Sequence, residues 1–573
     1  MNISSRFAGA ALVLSLSLSA TACQGPGPES AEDEGTLGAS SAAIHGGGWS
    51  ADGEYRRATI GRGSPFHASN GVRVGPDGNL YVASVLSRAI FVVDRQDGEI
   101  LDTIGVERGV ESPDDLTFGP DGSLYWTSFF TGEVGKLAPD GVKTTVANVG
   151  PGVNSIAFSP GGRLFVARDF LADDLWEIDP SGAVAPRLVA SGLGSLNAMS
   201  FGPDNNLYGP LWFLGVVARV DVETGARTTI ASGFATPSAV KFDPQGRLHV
   251  LDQARGELLR VDVTTGAKTL VGEPGVGADN FDFDAQGRAY VTNSHDGSIL
   301  QIRRHGHARV VVRGGIIAPG GVAVLPSSGG DELYIADSLA MRVLDGRHGH
   351  ELDVIHSIIG VTPFAVPLTA WADGQHILTS SWFSRAVQVY DPATGTVLES
   401  HSDFAVPLNA VRFQGDLVVA EVGSHTLSRK DHVSGVRTAI AALPVPTGLA
   451  VNGGSLYAAD WATGRILEIY AGGALLSPPR LITAGVAQPE GMAVDVDGSL
   501  LVVETGTGSL LRIDPASGSR SVIEDGLAVG LTGPAGLPPT FVFNGVAVGA
   551  DGDIYVTLDR ENRVARLSPR HCH

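Results

Sequence analysis

The chain has 573 residues, with 40 Lys and Arg against 61 Asp and Glu, a net charge of −21 and only 2 cysteines. That acidity argues against nucleic acid and against an anionic membrane surface as partners, because both demand basic patches. Cys23 and Cys572 supply no disulfide framework, so stability has to come from buried cores, for which the length suffices.

Residues 1–23 read as an export signal. Arg6 gives a positive start, and Phe7 to Ala20 is an apolar or small-residue run too short for a comfortable membrane span. The run ends in Ala20-Thr21-Ala22-Cys23, which resembles a bacterial lipobox. The resemblance implies lipidation of Cys23, with cleavage by an ordinary signal peptidase as the alternative, because Ala20 stands where such boxes usually carry Leu. Gln24 in place of Asp after the cysteine implies, by the same analogy, an outer-membrane lipoprotein of the cell envelope, or otherwise a secreted or periplasmic protein. Contact with a membrane is expected only through the N-terminal lipid. Residues 24–45, rich in Gly, Pro, Ser, Ala and acids, cannot bury apolar surface and read as a flexible tether.

From there one unit recurs. It opens with a short apolar run, turns at a Gly or Asn, continues as a second apolar run and ends in two further short strands. NGVRVGPDGNLYVAS from Asn70, NSIAFSPGGRLFVAR from Asn154 and SAVKFDPQGRLHVLD from Ser238 are examples, and further units start at Asp114, Asn197 and Asp279. The hairpin residues Gly78, Gly122, Gly162, Asn205, Gly246 and Gly287 lie 40 to 44 residues apart. A looser series starts at Gly320, Thr369, Asn409, Thr447, Glu490 and Asn544. Runs this short, bounded by turn signals, are strands, and a repeat of this length with several strands signals propeller blades. The expected fold is all-β: two tandem six-bladed β-propellers of four-stranded antiparallel blades, residues 46–306 and 307–573. The strands of each blade are lettered A to D outward from the axis. In the first unit they are expected at Val72–Val74, Leu80–Ala83, Ala89–Asp94 and Glu99–Ile104. A D-like strand, Tyr55–Ile60, precedes the first A, and no D follows the last C. The expected closure therefore exchanges strands, with Tyr55–Ile60 completing the blade that begins at Asp279 and Ala308–Arg313 the one that begins at Asn544. A single ring of twelve would give Ala308–Arg313 no special role.

The start of A and the end of B meet on one face near the axis. In the first propeller the A starts are Asn70, Asp114, Asn154, Asn197, Ser238 and Asp279, an oxygen-rich rim. Such a rim suits a hard divalent cation such as calcium. In the second propeller the B ends include Asp337, Glu421, Asp460 and Glu504, and Glu490 is an A start. The plainer reading of these acids is that each bonds a turn or a neighbouring blade. Trp382 and Trp461, just past B strands, suit either a pocket wall or packing between blades. The histidines offer no zinc-like spacing, and His305, His307, His348 and His350 read as exposed. No G-x-S-x-G, Walker or H-E-x-x-H motif occurs.

PEGMAVDVDGSLLVVETGTGSLLRIDPASG, from Pro489, and PTGLAVNGGSLYAADWATGRILEIYAGG, from Pro446, resemble NHL-repeat blades and the propellers of the senescence marker protein/gluconolactonase group. The resemblance covers most of residues 65–573. It implies a divalent metal on the axis, for which Asn409, Glu490 and Asn544 match by position, with Asp460, Glu421 and Glu504 beside them. It also implies lactonase-like hydrolysis or elimination, with Glu421, Glu490 or Glu504 as general base. The function expected first is an exported, lipid-anchored double propeller that binds a protein, glycan or small-molecule ligand through its rims. The metal-dependent enzyme, with its site on the axis of the second propeller, is the alternative.

Overall fold

The computed structural model describes residues 48–303 and 306–570. Cys23, the export signal, the tether, His305 and Cys572 lie outside the described residues. The described residues contain no α-helix. They form twelve antiparallel sheets, eleven of four strands and one of five. No helix among them is long and apolar enough to cross a membrane.

Each sheet follows from the repeat. Asp77-Gly78 makes the first hairpin, with Gly78 at φ +85° and the Asp77 carboxylate accepting the Asn79 amide at 3.1 Å. The B strands carry apolar side chains on both faces, and neighbouring sheets cover both. In Leu500–Glu504, Leu500 and Val502 pack against Tyr457 and Ala459 of the preceding sheet, while Leu501 and Val503 pack against Ile554 and Val556 of the next. Each such side chain contributes about 1.5–3 kcal/mol by leaving water. The D strands, exemplified by Ile100–Ile104, are largely exposed to solvent.

The innermost strands pack in order into two closed circuits of six sheets. Ala278–Phe283 returns to Val72–Val74 in the first, and Val546–Val548 to Val322–Ser327 in the second. The closing strands differ from the expected exchange. Ala308–Val312 pairs with Ile299–Ile302 of its own blade, and Tyr55–Ile60 pairs with Arg563–Pro569 of the last one, from Tyr55 opposite Pro569 to Ile60 opposite Val564. A tight turn explains the first pairing: the Arg303 amide donates to the His307 carbonyl at 2.8 Å, so the strand folds onto its nearest neighbour with little loop entropy to lose. The last C strand is then left for Tyr55–Ile60. Arg57 pairs with Glu524 at 2.9 Å, and Ile60 enters a core of Ile316, Leu333, Leu344 and Val564. Gly48–Trp49 adds a fifth strand outside it. The first circuit thus runs to Val312, past the expected boundary at residue 306, and residues 48–60 belong to the second.

The chain crosses between the circuits twice at one place. Ser64 donates to the Ile316 carbonyl and Ile316 to the Arg62 carbonyl, both at 2.8 Å, around a parallel bridge between Gly63 and Ile316. The two A-start faces meet there. Asn562 of the second propeller donates to the Ser64 and Phe66 carbonyls at 3.0 and 3.2 Å. Trp212 of the first donates its indole N–H to the Ile359 carbonyl at 3.0 Å. His295 and His356 meet Nδ1 to Nδ1 at 2.8 Å, and Arg342 donates to the His295 carbonyl at 2.5 Å.

Candidate functional site

The acids that end the B strands turn back on their own blades. Asp252 accepts the amides of Ala235 and Thr236, and Asp337 those of Ile317 and Ala318. Asp460 accepts from Val445 at 3.2 Å and Arg465 at 3.1 Å, Glu504 from Ala487 at 2.7 Å, and Glu421 from Ala405 at 2.5 Å. Each carboxylate fastens the loop that leads into strand A.

The side chain one residue further on faces the axis. In the first propeller this position and the A starts together border a cavity of about 130 Å³, whose acids and amides are Asn70, Asp114, Asn154, Asn197, Gln253 and Asp279. Asn70 donates to Asp279 at 3.3 Å and Gln253 to Asp279 at 3.4 Å. Ser238 is fully buried and bonds the Ala278 carbonyl instead. Against this floor lies Asp169, fully buried, with both carboxylate oxygens lacking a hydrogen-bond partner. Burial first, then Asp114 and Asp279, pushes the Asp169 carboxyl well up. Asn154 tempers the shift without making a well-formed hydrogen bond. Asp114 is pushed well up by burial and by Asp279 and Asp115. Asp279 rises to about 7 by burial, with Asn70 opposing and Asp115 adding. The cavity touches Asp279, so it is half-buried by accessible area, yet protein encloses it on every other side.

Carboxyls that push one another up in a dry place cannot all ionise unaided. The donor set is all oxygen and the Asp169 oxygens are unsatisfied, which fits a hard divalent cation. Drawn together, Asp114, Asp169 and Asp279 would hold it with amide oxygens from Asn154 and Asn197, although here their carboxylate oxygens do not all lie within 4.8 Å of one another. Further along the same strands, Lys241 is buried with no partner on Nζ. Burial first, then Arg73, pushes it down to about 7, against Asp115 and Asp282.

The cavity walls are apolar and come from both propellers. Leu86, Phe129, Phe130, Phe170 and Trp212 belong to the first; Ile359, Val366, Trp382, Phe383 and Phe541 belong to the second. Trp382 is thus a pocket wall, whereas Trp461 does not line the cavity.

The second propeller's own axis is different. Its channel is lined by backbone and by apolar side chains such as Trp371, Leu449, Met492 and Phe543, with Asn409 among them. The Asn409 side chain accepts its neighbour Ala410's amide at 2.8 Å. Glu490 accepts the Asn544 amide at 2.7 Å, while the Asn544 side chain accepts from Gly530 and donates to the Thr557 carbonyl. Of the positional matches, then, Glu490 and Asn544 touch each other and Asp460 is committed to its own loop. Burial pushes the Glu490 carboxyl well up, with neighbouring Asp559 adding to it.

Asp169, Gln253 and Trp212 are absent from the residues picked out by sequence. The signal for them was strand alternation, which sends the last B residue to the loop and the next to the axis. A second omission is on the surface. Asp345, His348 and His350 place ligand atoms within 4.8 Å of one another on an exposed hairpin, although the sequence suggested no such grouping. There Asp345 accepts the amides of His348 and His350, which makes it a turn cap.

Fold and site together define a tandem β-propeller protein whose first propeller carries an acidic axial floor. Over part of its length the chain is similar in sequence to a gluconolactonase. No family model matches the chain. A gluconolactonase of Zymomonas mobilis is 31% identical over 141 residues, 21% of this chain and 39% of that protein, so the chain spans well under half of that relative's length. Among solved structures, a streptogramin B lyase shares 17% identity over 49% of this chain and 94% of its own, with a TM-score of 0.37. A gluconolactonase of Xanthomonas campestris shares 16% over 42% and 87%, with a TM-score of 0.35.

Proposed function

We propose that the chain is a metal-dependent enzyme that opens lactone rings by hydrolysis or elimination, with its site on the axis of the first propeller. The observation that carries this reading is Asp169, a fully buried carboxyl with neither oxygen bonded, which feels the charges of Asp114 and Asp279 at the foot of an apolar cavity. The likeness to a gluconolactonase over 141 residues supports the reaction class. A divalent cation, when bound, would polarise the lactone carbonyl or activate water. The chain's own residues do the rest. Asp279, as one of the residues that would hold the cation, would be ionised when it is bound. The amides of Asn70 and Gln253 fix its orientation. The aromatic walls keep bulk water off the floor.

This places the chemistry in the first propeller. Glu421 and Glu504 are held by backbone amides, so Glu490→Gln serves as the control. The test is calorimetric titration with calcium, magnesium, manganese and zinc, together with turnover of a lactone panel, on the wild type and on Asp169→Asn and Asp279→Asn. Cation binding and turnover lost in both variants but kept in Glu490→Gln is the expected result. No cation binding and no turnover in the wild type sinks the proposal and returns the chain to a binding module for a protein, glycan or small molecule. Export and lipid anchoring belong to the same proposal, on the Ala20–Cys23 box. Palmitate labelling abolished by Cys23→Ser is the expected outcome, and labelling-free wild type would sink it.

A further inference from the structure

We propose that the second propeller is the apolar half of the first propeller's site, and that it selects ligands bearing an aromatic ring. The proposal builds on the reading of the first axis as the site. The acids and amides of the cavity come from the first propeller alone, while the second contributes mainly carbon, with the Ser338 and Ser357 hydroxyls beside it. Trp382 and Phe541 lie with ring centroids 6.0 Å apart, and Phe130 of the first propeller stands 5.8 Å from Phe541 and 6.3 Å from Trp382. The Trp382 indole N–H donates to the Phe541 carbonyl at 3.3 Å, which fixes the ring. Phe541 lies between Glu524 and Val546 on a long connection that departs from the repeat.

Two further observations give the second propeller this role. First, its own rim acids hold backbone amides, and its own channel is lined by backbone and mostly apolar side chains with no acid among them. Second, its position over the first axis is locked. Arg342 joins Asp337 of its own blade to the His295 carbonyl across the junction, and Trp212 of the first propeller is pinned to Ile359 of the second. Walls so fixed lose little freedom on binding. A flat aromatic ring, able to stack or meet edges among Phe130, Trp382 and Phe541, gains from such walls, while an oxygen on the same ligand reaches the floor.

Two lactams, which resist hydrolysis, test this independently of catalysis: 3,4-dihydroquinolin-2-one, with a fused benzene ring, and δ-valerolactam, without one. Calorimetry on the full chain should find the aromatic lactam bound at least ~10-fold tighter. Trp382→Leu and Phe541→Leu should each erase most of that preference. Trp461→Leu, at the corresponding position of a blade that does not reach the cavity, should keep it. Equal affinity for the two lactams, no binding of either, or a preference that survives both leucine variants overturns the proposal. Turnover lost on Asp279→Asn without any lactam preference would overturn this inference alone. A lactam preference without cation binding or turnover would overturn the catalytic reading alone.

Discussion

Lys241 offers a direct measure of how dry the first propeller's channel is. It is 4% exposed, its Nζ meets no partner, and its amine is pushed from 10.5 down to about 7 by burial and by Arg73. At ~1.36 kcal/mol for each pH unit of displacement, the charged amine costs roughly 5 kcal/mol. The folded amine is neutral above about pH 7 while the unfolded one stays charged to 10.5. Unfolding therefore takes up a proton in that window, and stability rises with pH across it. Below the window both states are charged and the full penalty is present. Lys241→Met keeps the length and removes the charge. Urea unfolding of the first propeller should find the variant more stable by roughly 4–5 kcal/mol near pH 6, shrinking to under about 1 kcal/mol near pH 10. A variant no more stable than the wild type near pH 6, or a gain that ignores pH, would mean that the ammonium is well solvated or paired, and the account of a dry channel would be wrong.

Asp279 runs the other way. Its folded pKa of about 7 lies above the ordinary 3.8, so without a divalent cation stability is full below that lower value and falls as pH rises toward 7. Asp279→Asn should raise the melting midpoint near pH 8 and leave it unchanged near pH 4, and saturating calcium should raise the wild type alone; identical calcium shifts in both would count against the floor as a cation site. His295 and His356 are pushed down, each by burial first, with Arg342 beside both and Asp296, Glu351 and Asp353 facing His356. Both stay neutral when folded, so stability should fall as pH drops below about 6.5, and His295→Gln should flatten that fall; an unchanged acid limb would refute it. Deleting residues 48–60 removes a six-residue ladder and buries neither Tyr55 nor Ile60, each worth about 1.5–3 kcal/mol. The second propeller's melting transition should drop while the first's holds, and a transition unaffected by the deletion would contradict the pairing.

The blades were legible because each one announces itself locally. Asp77-Gly78 and its counterparts fix the hairpins, and runs such as Leu500–Val503, apolar on both faces, demand a neighbour on each side. The closure was not legible. Tyr55–Ile60 and Ala308–Val312 are both outer strands that expose much of their length, and which partner each takes depends on a turn and on contacts hundreds of residues away. The rim was legible in part. Asn70, Asp114, Asn154, Asn197 and Asp279 stand at a constant offset from the hairpin and reach one cavity. Asp169 and Gln253 escaped because a one-residue step past the strand end reverses which way a side chain points. The contribution of Phe541 had no sequence signal, since its connection lies outside the repeat and its role depends on how one propeller sits over the other.

Because the last blade is completed by Tyr55–Ile60, the first propeller is spliced into a loop of the second. The two crossings, Arg62–Ser64 and Ile316, lie side by side. A short linker from Gly63 to Ile316 would therefore excise one entire wheel and leave the other with all its vanes. During synthesis the inner wheel is finished while the outer one still waits for Arg563–Pro569, so Tyr55–Ile60 must stay unpaired until that strand is made.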